Sequence, residues 1–375
     1  MSKKVVWNWL IPVIIIVAVI LLLVVYLPRA PQETIKIGFI GPLTGDAAIV
    51  GKNELDAVNL AIEDIENKTS IKIQIIAEDG KCNGQDAATA AQKLVNIDKV
   101  KIILGGICSA ETLSAAPIAE MNKVILFSSF STSPDITNSG DYIFRNAYSD
   151  EIFGINAAEM VKEKKIAMIT ENSDYSIGLR EVFKREFAKR GGEIVSDEVY
   201  ASNEKDFRTY LTKIKASNPE AIFINPATSA GGAGMIAKQT KELGINVPLY
   251  GNFIIGGKDS LDAAAGALEG ATFFDAPILN PDNVGAKDFI SRYTLKYTAP
   301  YNEFDVGARY DSIFIIVSAL EKCKENSDCI KNYLYNMKSY RGTIGTYSFD
   351  ENGDAAGLTA ITKKIVNGQP VLQSA

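Results

Sequence analysis

The feature that most limits this chain is its regular alternation of short apolar runs with segments of helical period. Ile35 to Ile40 (IKIGFI) alternates as a strand and ends in the turn-rich Gly41-Pro42-Leu43-Thr44-Gly45. Leu55, Val58, Ile62 and Ile65 then recur at spacings of three and four, which marks one apolar helix face. Strand Ile71 to Ile76, a helix carrying Ala87, Ala91, Leu94 and Val95, strand Ile102 to Leu104, a further helical segment and strand Val124 to Phe127 follow. Such alternation predicts an α/β fold with a doubly wound parallel sheet. Beyond Tyr142-Ile143-Phe144-Arg145 the pattern restarts. Strands at Lys165 to Thr170, Glu193 to Tyr200, Glu220 to Ile224, Val247 to Tyr250 and Ala271 to Phe274 imply a second sheet of the same class. Two helices, near Ala286 to Tyr297 and Phe304 to Lys322, precede a predicted hairpin, in which Tyr347 to Asp350 and Leu358 to Val366 flank an Asn352-Gly353 turn.

Open α/β sheets bind ligands at the carboxyl ends of their strands. In the stretch Ile102 to Pro134 two such ends meet. Ser109 stands where a helix N-cap belongs, with unpaired N–H groups behind it, a ready site for a carboxylate or phosphate. Ser128, Ser129, Ser131 and Thr132 offer hydroxyls from the neighbouring strand. Taken by themselves, these residues fit a simple helix cap and an ordinary turn better than a ligand site.

Several function classes drop out. The chain has no histidine, which removes Ser-His-Asp and Cys-His nucleophiles and His-ligated metal sites. The net charge is −6; residues 1 to 32 hold three bases and no acid, so the remainder carries 36 bases against 45 acids, or −9, and nucleic acid is not an expected partner. No dinucleotide pattern exists, because the glycines fall at Gly38, Gly41 and Gly45. A phosphate loop fails too: five residues separate Gly45 from Gly51, and Asn53 follows Lys52. The Asp350 stretch lacks EF-hand spacing. Ser202-Asn203-Glu204-Lys205 matches S-x-x-K, but no K-T-G accompanies it, so no enzyme is expected. Neither a cofactor nor a metal is implied.

Trp9 to Leu27 is a stretch of 19 residues without a charge, about 28 Å as a helix and enough to cross a bilayer core. Lys3 and Lys4 would keep the N-terminus in the cytoplasm. Residues 1–30 are therefore read as a cytoplasmic stub and uncleaved membrane anchor, a cleaved signal peptide being the competing reading. Either way the remainder is extracytoplasmic.

Gly41-Pro42-Leu43-Thr44-Gly45 with Gly51, Ala61-Ile62-Glu63-Asp64-Ile65, Cys82 and Cys108-Ser109 resemble the type I periplasmic binding proteins of the leucine/isoleucine/valine-binding family. So do Phe144-Arg145-Asn146, Tyr175-Ser176-Ile177-Gly178 and Ser348-Phe349-Asp350, in order along residues 34 to 368. The resemblance implies two doubly wound lobes joined by three crossings. Lobe 1 would comprise 34–147 with 277–340, and lobe 2 148–276 with 341–375. The crossings would fall near Arg145 to Ser149, Asp275 to Pro277 and Tyr340 to Thr343.

It also implies disulfides Cys82–Cys108 and Cys323–Cys329. The first would close a loop of about 27 residues, worth about 3.5 kcal/mol on the chain-entropy estimate. The second requires a helix break within Lys324 to Asp328, since positions six apart on one helix face different ways. By the same resemblance Ser109 binds a ligand carboxylate, Phe130, Ser131 and Thr132 add backbone and hydroxyl contacts, and Tyr175 closes over the ligand from lobe 2. One departure stands out. Where amino-acid binders carry the acid that pairs with the ligand ammonium, this chain has Phe253, and a family tyrosine falls near Ala227 or Thr228. Asp275 and Asp305 are the remaining candidate acids. The implied function is the substrate-binding protein of an ABC transporter, serving a permease and its ATPase and trapping a small carboxylate, foremost an aliphatic amino acid. The alternatives are a ligand-sensing subunit of a signalling complex, or a binder of an amide or keto acid.

Overall fold

The computed structural model describes residues 34–228, 232–276, 279 and 283–373. The expected anchor at 1–30, and Pro277 in the expected second crossing, lie outside these residues. No helix among the described residues is long and apolar enough to cross a membrane.

The first half of the chain runs β1 (Thr34–Gly41), α1 (Ala48–Lys68), β2 (Lys72–Asp79), α2 (Gly84–Asn96), β3 (Ile102–Leu104), α3 (Ser109–Met121), β4 (Ile125–Ser128) and β5 (Ile143–Arg145). These strands build one sheet in the order β2-β1-β3-β4-β5, parallel throughout. Strands β3 and β4 are buried along their whole length, as a parallel sheet covered on both faces requires.

The second half continues with α4 (Asp150–Met160), β6 (Lys165–Glu171), α5 (Asp174–Lys189), β7 (Glu193–Tyr200), α6 (Arg208–Ala216), β8 (Ala221–Asn225), α7 (Ala233–Glu242), β9 (Leu249–Gly251), α8 (Lys258–Ala264) and β10 (Thr272–Asp275). After them come α9 (Val284–Lys296), α10 (Glu303–Cys323), α11 (Ser327–Tyr335), β11 (Tyr340–Gly342), β12 (Gly345–Phe349), β13 (Ala355–Ala356), β14 (Ile361–Val366) and β15 (Gln369–Leu372). The second sheet has the order β15-β14-β10-β9-β8-β6-β7. Its strands β6 to β10 are parallel, and β14 and β15 extend it antiparallel. The reversal of strand order on either side of β1 and of β6 puts both ligand-binding edges at switch points.

Residues 341–356 correct the expected boundary. They do not join the second sheet. The Phe349 ring lies 5.5 Å from Phe127 and 5.4 Å from Phe144, both of the first sheet, and Asp354 pairs with Arg145. The return to the second sheet falls between Ala356 and Ile361. The expected hairpin changes in the same way: β12 pairs with β11 and β13, whereas β14 pairs with β10 and β15. Its turn stands as expected, with the N–H groups of Asn352 and Asp354 donating to Asp350 Oδ1 and Gly353 at φ 80°. The pattern of alternation alone could not tell two strands of one hairpin from two strands of different sheets.

Late helices complete the first unit. Helix α10 packs on α1, where Arg309 Nε donates to Glu54 Oε2 at 2.7 Å with both side chains buried. Arg309 Nη1 also donates to the Phe127 carbonyl at 3.2 Å, and Ser129 donates its hydroxyl to Glu54. Helix α10 ends at Cys323, Lys324 turns the backbone at φ 55°, and α11 starts at Ser327. That break lets Cys323 and Cys329 bond, with Cα atoms 5.5 Å apart.

Removing one member of a buried pair leaves the other charge unpartnered. Arg309→Met is therefore expected to lower the unfolding free energy by about 3–5 kcal/mol in a urea titration. The double variant Glu54→Leu with Arg309→Met should recover most of the loss; equal losses in the two variants would contradict this assignment.

Candidate functional site

Strand β3 stops at Gly105 and Gly106 because the chain there passes against other backbone. Gly105 has φ 132°, and a Cβ on it would meet the Ile40 carbonyl. The following turn is pinned by Glu111, the third residue of α3. Its Oε2 accepts from the N–H groups of Ile107 and Cys108, each at 3.0 Å, and its Oε1 from Cys82 N–H at 3.0 Å. The Cys82–Cys108 disulfide ties the same two segments covalently. Burial pushes the Glu111 carboxyl up to about 7, although three N–H groups point at it. A glutamate three residues past the cap position was the available signal for this brace.

The helix begins one residue earlier than expected. Cys108 is the cap and Ser109 the first helical residue. Ser109 Oγ accepts from Ser133 N–H at 3.2 Å, which leaves its own proton free to donate. The first N–H groups of α3 stand beside it without intrahelical partners.

The hydroxyl run after β4 behaves differently from expectation. Ser128 donates to the Gly106 carbonyl at 2.7 Å. Ser131 Oγ lies 2.9 Å from the Ile107 carbonyl and 2.6 Å from Thr112 Oγ1, and Ser131 does not border the cavity. Ser131 is thus a bracing residue, not a ligand contact, because neighbouring carbonyls already saturate its hydroxyl. Only Thr132 of the four hydroxyl residues reaches the cavity, and it donates to Asp150 Oδ2 at 2.9 Å.

Across the gap, the second sheet presents Tyr175 at the start of α5, Thr228 after β8 and Phe253 after β9. A chain of buried amides sets their positions. Asn252 Nδ2 donates to Asn225 Oδ1 at 2.9 Å and to the Pro226 carbonyl at 2.7 Å, and Asn225 Nδ2 donates to the Ser176 carbonyl at 2.8 Å. Asn252 Oδ1 in turn accepts from Ile254 N–H at 3.1 Å, capping the short helix that carries Phe253. Glu171 Oε2 accepts from Ala227 N–H at 2.8 Å and holds the Thr228 turn. Neither amide nor Glu171 stood out in the sequence.

Between the sheets lies a cavity of ≈110 Å³. Ser109, Phe130, Thr132, Tyr175, Thr228 and Phe253 all border it. Of the expected ligand-binding residues only Ser131 stands apart. The cavity joins a hydrogen-bonding, electropositive helix start to an apolar opposite wall, a combination that suits a small carboxylate with an apolar body.

A family model described as periplasmic binding protein matches residues 34–366. The chain belongs to the periplasmic binding protein family. The leucine-, isoleucine-, valine-, threonine- and alanine-binding protein of Pseudomonas aeruginosa is 28% identical to it over 336 residues, 86% of this chain and 87% of that protein. Among solved structures, the branched-chain amino acid transporter substrate binding protein of Streptococcus pneumoniae, in complex with isoleucine, superposes with a TM-score of 0.78. It is 28% identical and covers 91% of this chain and 100% of its own. A solute binding protein of an ABC transporter from Rhodopseudomonas palustris, in complex with 3,4-dihydroxybenzoic acid, has a TM-score of 0.79 and 25% identity over 91% of this chain and 96% of its own. This binding protein is therefore a type I member of the leucine/isoleucine/valine-binding branch.

Asp150 makes the site's frame sensitive to pH. Its Oδ1 is buried without a hydrogen-bond partner among the described residues. Burial pushes its carboxyl up to about 8, against the smaller pull of Thr132 and Arg145. Between its ordinary value near 4 and pH 8 the unfolded chain has released a proton that the folded protein keeps, so stability falls as pH rises through this window. The melting temperature is expected to rise as pH is lowered from 8.5 to 6, and Asp150→Asn to flatten that slope. Parallel slopes for the two proteins in scanning calorimetry would refute the assignment.

Proposed function

We propose that the protein is the extracytoplasmic substrate-binding component of an ABC transporter, trapping a small carboxylate between its two lobes. The observation that carries this reading is the convergence of Ser109, the α3 N-terminus and Thr132 on one end of the cavity, facing Tyr175 and Phe253 on the other. Small ligands of relatives support it: isoleucine and 3,4-dihydroxybenzoic acid each end in a carboxylate. Branched-chain amino acids, named for the relatives, head the list of ligands to offer.

No reacting group is required; the protein binds and releases. The ligand meets the Ser109 side first, then Tyr175 and Phe253 close over it by hinge motion, and the closed form is what a membrane permease and its ATPase recognise. Residues 1–30 anchor this cycle at the membrane.

Ser109→Ala removes one donor from a buried carboxylate, which is expected to weaken binding about 10- to 100-fold by calorimetry. Unchanged affinity would move the site elsewhere. Saturating ligand should also shrink the radius of gyration in X-ray scattering, and superimposable profiles with and without ligand would argue against closure.

A further inference from the structure

A carboxylate seated at the α3 N-terminus points the rest of the ligand toward the second sheet. The side chains there decide what the far end can carry. Tyr175, Thr228 and Phe253 border the cavity from that side, with Tyr301 beside them, and Val50, Ile107 and Phe130 of the first unit complete the apolar wall. The Phe253 ring stands 6.5 Å from that of Phe130, nearly perpendicular to it, and 6.1 Å from that of Tyr175. Two acids border the cavity, Asp46 and Asp174, and both are exposed at its mouth. Among the described residues no lysine or arginine borders it.

The next acids lie behind the aromatic wall. Asp275 and Asp305 border a separate chamber on the far side of Phe130, Thr132 and Phe253. Asp275 accepts from Lys363 Nζ at 2.7 Å and from Ala276 N–H at 2.8 Å, so its charge is already met. Asp305 is half-buried, and burial, with the nearby charges of Glu54 and Asp275, holds its carboxyl well above the usual carboxylate range. Neither faces the cavity as an unpaired anion.

An ammonium held against the rings would lose its water with no buried carboxylate to meet it, since Asp46 and Asp174 are both exposed to solvent. That penalty exceeds what ring faces return to a cation. An uncharged apolar body meets no such penalty and gains from every ring it covers.

We infer that the ligand is an amine-free apolar monocarboxylate, a branched-chain 2-oxo acid or an aromatic acid, and that Phe253 excludes the amino acid of the same shape. This rests on the carboxylate reading of the Ser109 end and settles only the ligand's other end.

Four probes test it on the full chain by calorimetry: L-leucine, 4-methyl-2-oxopentanoate, benzoate and leucinamide. The 2-oxo acid or benzoate is expected to bind at least 10-fold more tightly than leucine, the stronger of the two telling aliphatic from aromatic. Leucine binding more tightly than both acids overturns the exclusion of the amine while leaving the carboxylate end standing. Binding of leucinamide alone, or of none of the four, overturns the carboxylate reading as well. In Phe253→Glu, leucine should gain and the 2-oxo acid lose at least 10-fold, with the melting temperature as the check on folding. A variant that folds and keeps the wild-type preference assigns the discrimination to another residue.

Discussion

The guanidinium of Arg145 is the interaction on which the rest of the ligand-binding edge depends. It is fully buried at the end of β5. Its Nε and Nη2 donate to the two oxygens of Asp354 at 2.5 and 2.8 Å, Nη1 donates to the Ser133 carbonyl at 2.7 Å, and Nη2 reaches Thr137 Oγ1 at 2.8 Å. A planar fork of donors is suited to holding a carboxylate and a loop at once. The Ser133 carbonyl it holds belongs to the same turn whose Phe130 and Thr132 border the cavity. A second buried guanidinium, Arg309, grips Glu54 and, through it, Ser129 on the other flank of that turn. Buried cations thus shape the loop, and none is left to meet the ligand.

This division gives the two sides of the cleft different chemistry. On the first sheet the groups that border the cavity are the α3 N-terminus and the Ser109 hydroxyl, set by Glu111 and the Cys82–Cys108 bond. On the second sheet the elements are rings, oriented by the Asn252, Asn225 and Ser176 chain. Rings discriminate by shape and by what they fail to solvate.

Fold class and the meeting of two loops were legible because alternation is a property of neighbours in sequence. Leu55, Val58, Ile62 and Ile65 announce one helix face whatever the helix packs on. The pairing of β14 was not legible, since its alternation is the same whether it lies beside β12 or β10, and only the far contacts of Phe349 decide. Likewise Ser131 and Thr132 are adjacent hydroxyl residues with equal claims on a ligand. Both hydroxyls are taken, Ser131 by the Ile107 carbonyl and Thr112, and Thr132 by Asp150, and what separates them is that only Thr132 borders the cavity. Glu54, Arg309 and Asp150 carry no local pattern, because each finds its partner on another element. The Phe253 position was informative in the opposite way: a ring where the resemblance implies a charge left two readings, another acid or a ligand without an amine, and sequence alone did not choose between them.

Arg145 and Asp354 stand 209 residues apart in the chain. A contact of that span is among the last to form in a growing or emerging polypeptide, since long loops close at an entropic cost before any contact repays it. The first sheet can assemble its strands early, yet its binding turn stays untethered until the C-terminal segment arrives. Competence to hold a ligand is thereby coupled to completion of the chain: a truncated product lacking Asp354 keeps the sheet's sequence but leaves a buried cation without its counter-charge.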